Sequence, residues 1–286
     1  MDLSTYHRPR TLDEALSLKA ETADARYLAG GTDLLVRMKN GVEDVRSLIS
    51  LRSLPELAAI TANGAASIGA MATLTDVLEH PTLDERYPVL VEAVRRIGSV
   101  QIRNVATLGG NLASAAPCAD SAPALLVLDA KVRIAGRDGH RDLPLVELFT
   151  GPRQTCLGPE EVLTAILLDP PRPRARGVFL KKTRVHVDLA LASVAVLVEL
   201  DADRKTCAHV RIAAGSVAPT PLRLPEVETL MAGEKITPEL MARARELARD
   251  AVAPISDVRA SADYRRHLTG VLLVRGLSAL LGGRPG

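Results

Sequence analysis

The alternation of strand-like and helix-like stretches predicts an α+β fold in three parts: residues 1–55, 56–172 and 173–286. Two short apolar runs end in glycine pairs, Gly30-Gly31 and Gly109-Gly110, and turns at strand ends are where such folds place ligands. The stretch Asp169-Pro-Pro-Arg-Pro-Arg-Ala-Arg-Gly177 then gathers three prolines and three arginines without apolar periodicity, which marks a boundary. Beyond it strand-like segments precede two helix-like ones, an order that packs helices on one face of a sheet.

Taken in order, Thr11-Leu-Asp-Glu14 has the spacing of a capping box. It opens a short helix from Leu12 to about Lys19, with Leu12, Ala15 and Leu16 inward. Arg26 to Ala29 is a strand that runs into the first glycine pair, and Ser47 to Leu51 is another. In the second part, Ala66 to Ala70 is a strand; a helix capped by Thr73 or Thr75 follows and stops at Pro81. Pro88 to Ile97 is a helix with Leu90, Val94 and Ile97 on one face and Arg95 and Arg96 outward. Ser121 to Leu128 has a cap residue, an early proline and an apolar run, a buried helix start. Lys131 to Ile134 with the Asp138-Gly139 turn reads as a hairpin, and Glu161 to Leu168 as a buried strand. The third part has strands at Val178–Thr183, Leu189–Leu200 and His209–Ala214. One helix follows Thr237-Pro-Glu-Leu240 and carries Leu240, Ala244, Leu247 and Val252; another runs from Tyr264 to Leu281.

Composition narrows the function classes. The 36 basic and 34 acidic residues nearly cancel, so there is no basic footprint for nucleic acid. Two Phe, four Tyr and no Trp leave few platforms for stacking bases. Cys118, Cys156 and Cys207 are far apart, which suits a reducing compartment and supplies neither a disulfide framework nor a four-thiolate cluster. Without a secretory signal or a membrane-length apolar run, the expectation is a cytoplasmic protein. The histidines at 7, 80, 140, 186, 209 and 267 show no metal spacing and read as surface or structural. No hydrolytic constellation emerges, so a bound cofactor must carry the chemistry.

The glycine pairs are the candidates for holding it. A pair without Cβ atoms lets backbone N–H groups approach a ligand, and successive N–H groups form a nest for phosphate oxygens. An isolated glycine pair reads first as a tight turn; on the ligand reading, which the resemblance given below favours, the donors are the amides of Gly30, Gly31, Thr32, Asp33, Thr107, Gly109 and Gly110. Two such turns can grip the two phosphates of a dinucleotide, although neither fits the GxGxxG fingerprint. Asp120 can accept from a ribose hydroxyl, or cap the following helix, as Ser121 also can. Asn111 sits in the motif but equally suits a left-handed turn. Arg103 reads equally as a site residue or as a partner for a helix end or a carboxylate. Cys118 reads as a small packed residue.

Ala29-Gly-Gly-Thr-Asp-Leu34, and Gln101-Ile-Arg-Asn104 followed by Thr107-Leu-Gly-Gly-Asn111 and Asp120, closely resemble the FAD-binding subunits of molybdenum hydroxylases. That family includes the medium subunit of aerobic carbon monoxide dehydrogenase and the middle domain of xanthine dehydrogenase. The resemblance runs from about Tyr6 to about Leu280. It implies a two-subdomain FAD-binding unit of the PCMH/vanillyl-alcohol-oxidase type, with a C-terminal α+β domain of the carbon monoxide dehydrogenase flavoprotein type. It also implies that Ala29 to Leu34, Thr107, Gly109, Gly110, Asn111, Asp120, Leu157 and Lys181 bind FAD, Lys181 being chosen over Lys182 by strand alternation.

By the same resemblance the chain relays electrons from the [2Fe-2S] clusters of a small subunit to an external acceptor. Substrate is oxidised at a molybdenum–pterin centre on a large subunit, and relatives often assemble as dimers of three-subunit units. The cysteine-bearing insertion of aromatic-thioester reductases is missing, which favours a carbon monoxide dehydrogenase-like or general aerobic hydroxylase role. The rivals are a self-sufficient FAD oxidoreductase, which needs a general acid or base at the ring, and a scaffold subunit that has lost flavin, which predicts damaged glycine motifs.

Overall fold

The computed structural model describes residues 4–22, 24–185 and 187–282; His186 lies outside the described residues. Three short strands, β1 (Thr5–His7), β2 (Arg26–Leu28) and β3 (Ser47–Ser50), form a parallel sheet in the order β1-β3-β2. The central strand β3 is buried throughout. Parallel neighbours need crossovers, which helices α1 (Leu12–Glu21) and α2 (Leu34–Lys39) supply. Thr11 caps α1 by accepting from the N–H of Glu14 at 3.1 Å. The expected capping box closes one residue early, because the Glu14 carboxylate takes the N–H of Arg10 at 2.7 Å instead.

The chain then adds β4 (Ile60–Thr61) and β5 (Ala66–Gly69) before a run of short helices. These are α3 (Leu74–Glu79), α4 (Pro81–Arg86), α5 (Pro88–Arg95), α6 (Val100–Arg103), α7 (Leu108–Ala113) and α8 (Ser121–Val127). Thr73 caps α3 in a complete box with Asp76. Pro81, expected only to stop that helix, also starts α4, since the first position of a helix has no use for an N–H. Hairpin β6 (Lys131–Gly136) and β7 (Gly139–Pro144), the small hairpin β8 (Phe149–Gly151) and β9 (Gln154–Thr155), and β10 (Val162–Leu168) complete this part. The five-stranded sheet runs β4-β5-β10-β6-β7, and β10 pairs antiparallel with both β5 and β6.

The last part is an antiparallel sheet of β11 (Ala175–Lys182), β12 (Ala192–Leu200), β13 (Cys207–Gly215) and β14 (Leu222–Arg223), followed by α9 (Pro225–Met231), α10 (Pro238–Asp250) and α11 (Ala262–Leu280). The proline-arginine stretch is shorter than expected, because Ala175 already pairs with Glu199. The second strand begins at Ala192 rather than Leu189, and β14 and α9 had no clear sequence signal. Strand alternation gives this sheet two buried faces. Val194, Val196, Ile212 and Ala214 pack with Leu272 and Leu277 of α11. Phe179, Ala195 and Ala213 join the core of the middle part, which includes α5 and α8. Among the described residues no helix is long and apolar enough to cross a membrane.

Candidate functional site

Strand β2 ends at Leu28, and the chain turns through Ala29–Asp33 into α2. Gly30 lies flat against the segment that leads to the second motif: a Cβ there would sit 2.1 Å from the carbonyl oxygen of Val105. Gly31 has φ +74°, in the left-handed region that glycine enters without a Cβ penalty. Among the described residues none accepts a hydrogen bond from the N–H of Gly30, Gly31, Thr32 or Asp33. These amides belong to residues that line a cavity, as an anion-binding concavity requires.

The second glycine pair is built differently. It forms the first turn of a helix, α7, rather than an open turn. Thr107 caps that helix, its hydroxyl accepting from the N–H of Gly110 at 3.0 Å. The N–H groups of Leu108 and Gly109 donate to the carbonyls of Ala72 and Ala70 at 3.0 and 2.9 Å. So Gly109 and Gly110, expected to offer their amides to phosphate, already donate them within the protein. Gly109 is there for packing: a Cβ would lie 2.4 Å from the Cβ of Ala70. Asn111 is helical rather than left-handed, and its Oδ1 accepts from the Ser121 hydroxyl at 2.5 Å.

The two motifs, packed against each other, both line a cavity of about 370 Å³. Ala29, Gly30, Gly31, Thr32, Asp33 and Leu34 line it from the first motif, Thr107, Gly109, Gly110 and Asn111 from the second, and Leu157 from the strand side. Met71, Ile97, Ile102 and Leu163 add apolar surface, and a more polar groove lined by Lys19, Arg26, Arg46 and Glu161 adjoins. Sequence reading missed Ile97 as a lining residue because it looked like one more apolar residue of a helix face. It also missed Arg153, which lines both spaces and forms an ion pair with Asp33 at 2.9 Å. The available signal for Arg153 was its place in Gly151-Pro-Arg-Gln, a turn composition. Arg103 takes the helix-end reading: it donates to the carbonyls of Ile97 and Gly98 beyond α5, both at 3.0 Å.

Asp120 and Lys181 do not line the cavity. They meet each other, with Lys181 Nζ donating to Asp120 Oδ2 at 2.6 Å and to the carbonyl of Arg96 at 3.1 Å. Both side chains are buried, and Lys182, the next residue along β11, is exposed. Burial pushes the Asp120 carboxyl up to about 6, outweighing the attraction of Lys181. The other oxygen, Oδ1, is buried without a partner. The capping alternative for Asp120 is not realised, since it makes no side-chain bond to α8.

The arrangement therefore offers open amides for an anion, an apolar wall and a buried charge pair nearby. Among the described residues no group of three or more His, Cys, Asp or Glu is placed to hold a metal, and the three cysteines are free thiols.

Comparison with known proteins agrees with this construction. The sequence model described as the FAD binding domain in molybdopterin dehydrogenase matches residues 2–171, and that of the CO dehydrogenase flavoprotein C-terminal domain matches residues 178–280. The xanthine dehydrogenase FAD-binding subunit of Escherichia coli O157:H7 is 32% identical over 288 residues, covering 100% of this chain and 98% of that protein. The carbon monoxide dehydrogenase medium chain of Hydrogenophaga pseudoflava is 32% identical over 96% of each chain. Among solved structures, carbon monoxide dehydrogenase from Hydrogenophaga pseudoflava lacking the Mo-pyranopterin moiety superposes with a TM-score of 0.94 at 32% identity, over 98% of both chains. Quinoline 2-oxidoreductase from Pseudomonas putida 86 gives 0.91 at 29% identity, over 97% of this chain and 96% of that one. With both glycine motifs intact and the likeness spanning the whole length, the chain belongs to the FAD-binding medium subunits of the molybdenum hydroxylases.

Proposed function

We propose that this chain binds FAD in the cavity between residues 1–55 and 56–172 and works as the electron relay of a molybdenum hydroxylase in the cytoplasm. Its partners are a large molybdenum-binding subunit and a small [2Fe-2S] subunit, two such three-subunit units pairing. The observation that carries the reading is the set of four unpartnered amides at Gly30–Asp33 on the cavity wall. Backbone N–H groups hold a pyrophosphate without needing a lysine in the motif. Gly30 keeps that wall pressed on Val105, where any Cβ would collide.

FAD, when bound, supplies the ability to accept electrons from one donor and release them to another. The chain supplies grip and surroundings. Ile97, Ile102 and Leu157 give apolar surface for the ring. Asp120 Oδ1, buried, unpartnered and off the cavity wall, meets a sugar hydroxyl only where the site opens toward it, and Lys181 fixes the charge beside it. Among the described residues no histidine lines the cavity, and the lining residues serve to orient and bind.

The test is a visible absorption spectrum of the chain purified alone and with the subunits that accompany it, together with the identity of the released nucleotide. FAD at about one per chain, reduced by substrate only in the assembled complex, is the expected result. Reduction of the isolated chain by substrate would favour a self-sufficient oxidoreductase. A folded chain that takes up no flavin in either preparation would remove the reading.

A further inference from the structure

Arg153 stands at the tip of the β8–β9 hairpin with φ 59°, in a backbone region that non-glycine residues seldom adopt. Its N–H donates to the carbonyl of Ala115 at 2.8 Å, just beyond α7, and Ala115 itself has φ 43°. Its guanidinium reaches the other way: Nη1 and Nη2 donate to Asp33 Oδ2 and Oδ1 at 2.9 and 3.4 Å. The backbone of one residue is thus fastened to the segment just after α7, the helix that the second glycine motif opens, and its side chain to the first motif. Both partners of the pair remain 40 and 47% exposed, so a ligand can reach them.

The electrostatics of the cradle make this position matter. Asp33 puts a negative charge beside the open amides of Gly30–Asp33, where it opposes a second anion. Arg153 offsets that charge, and its planar fork suits phosphate oxygens as well as carboxylate ones. We propose that Arg153 is a phosphate-reading residue of the FAD site, its guanidinium turning from Asp33 to the pyrophosphate of the dinucleotide. Asp33 serves as the resting partner that keeps the guanidinium aimed across the cavity mouth. This rests on the FAD-binding reading above.

The experiment titrates FAD into flavin-stripped full-length chains, wild type and the variants R153A, R153K and D33N, by flavin fluorescence, with melting curves before FAD is added. R153A is expected to bind FAD about tenfold or more weakly, the size of a lost charge-assisted bond, with little change in melting temperature. R153K, keeping charge without the fork, should fall between R153A and wild type. D33N, which frees the guanidinium, should bind FAD at least as tightly as wild type. If R153A binds FAD like wild type, the assignment to Arg153 is wrong while the FAD site stands. If D33N weakens FAD binding tenfold or more relative to wild type, the ion pair is only a structural strap and the proposal falls; this arm decides the matter even if R153A does not fold. Wild-type chain that binds no FAD would overturn the functional reading itself, and this inference with it.

Discussion

Gly30-Gly31 and Gly109-Gly110 look alike in sequence, each followed by side-chain oxygens, yet they do different work. The first leaves its amides open on a cavity wall and uses a left-handed glycine to do so. The second directs its amides to Ala70, Ala72 and the Thr107 hydroxyl, and its glycines let a helix start press against a neighbouring strand end. From there the chain continues to Ser121, bonded to Asn111, and to Asp120, tied by Lys181 to the C-terminal sheet. A glycine pair permits close approach, and what approaches can be a ligand or the protein's own backbone. On the reading proposed above, the first motif is the grip, and the second is the frame that holds it in place.

Breaking the frame should have the largest effects. Lys181→Met leaves the Asp120 carboxyl buried without its cation, a change expected to cost about 3–5 kcal/mol at pH 8. The cost should shrink at pH 5, where the carboxyl is protonated. Because the folded-state value of Asp120 is raised to about 6, its contribution to stability is full below the ordinary carboxylate range and fades as pH rises through about 6. Denaturant unfolding of wild type and variant at the two pH values checks this, and an equal cost at both would be inconsistent with it. Gly109→Ala comes next, since its Cβ would overlap Ala70; about 3 kcal/mol of stability should be lost, by the same assay. Its folded fraction should still take up FAD. The smallest change in stability belongs to the grip. Gly31→Ala, forced to φ +74°, should cost about 1–2 kcal/mol, but its loss of FAD affinity should exceed that of Gly109→Ala. Equal affinities for the two variants, measured by fluorescence titration, would erase the distinction between grip and frame.

Much of this was legible in the sequence. Thr11, Thr73 and Thr237 announce their helices because a cap is a local event, one hydroxyl accepting from an N–H three residues on. The β6–β7 hairpin was equally plain, although its loop is Arg137-Asp138, one residue earlier than the expected Asp-Gly turn, and Gly139 at φ +119° is already paired with Gly136. Local patterns did not show where amides point: Thr107-Leu-Gly-Gly gives no hint that Ala70 and Ala72, far back in the chain, will accept from it. The same holds for Arg153, whose partner Asp33 lies 120 residues away, and for the pairing of Asp120 with Lys181. Those contacts exist only once the two sheets have brought the segments together. Alternation along β11 did point to the right lysine to turn inward, because side-chain direction in a strand is a local property.

Amide hydrogen exchange with and without FAD, resolved to residues 29–35 and 107–113, tests the division of labour most directly. The amides of Gly30–Asp33 should exchange rapidly in the chain alone and slow markedly on FAD binding. Those of Leu108–Asn111, already bonded within the protein, should be protected in both states. FAD that binds without slowing exchange at Gly30–Asp33 would contradict the assignment of the first motif as the pyrophosphate grip.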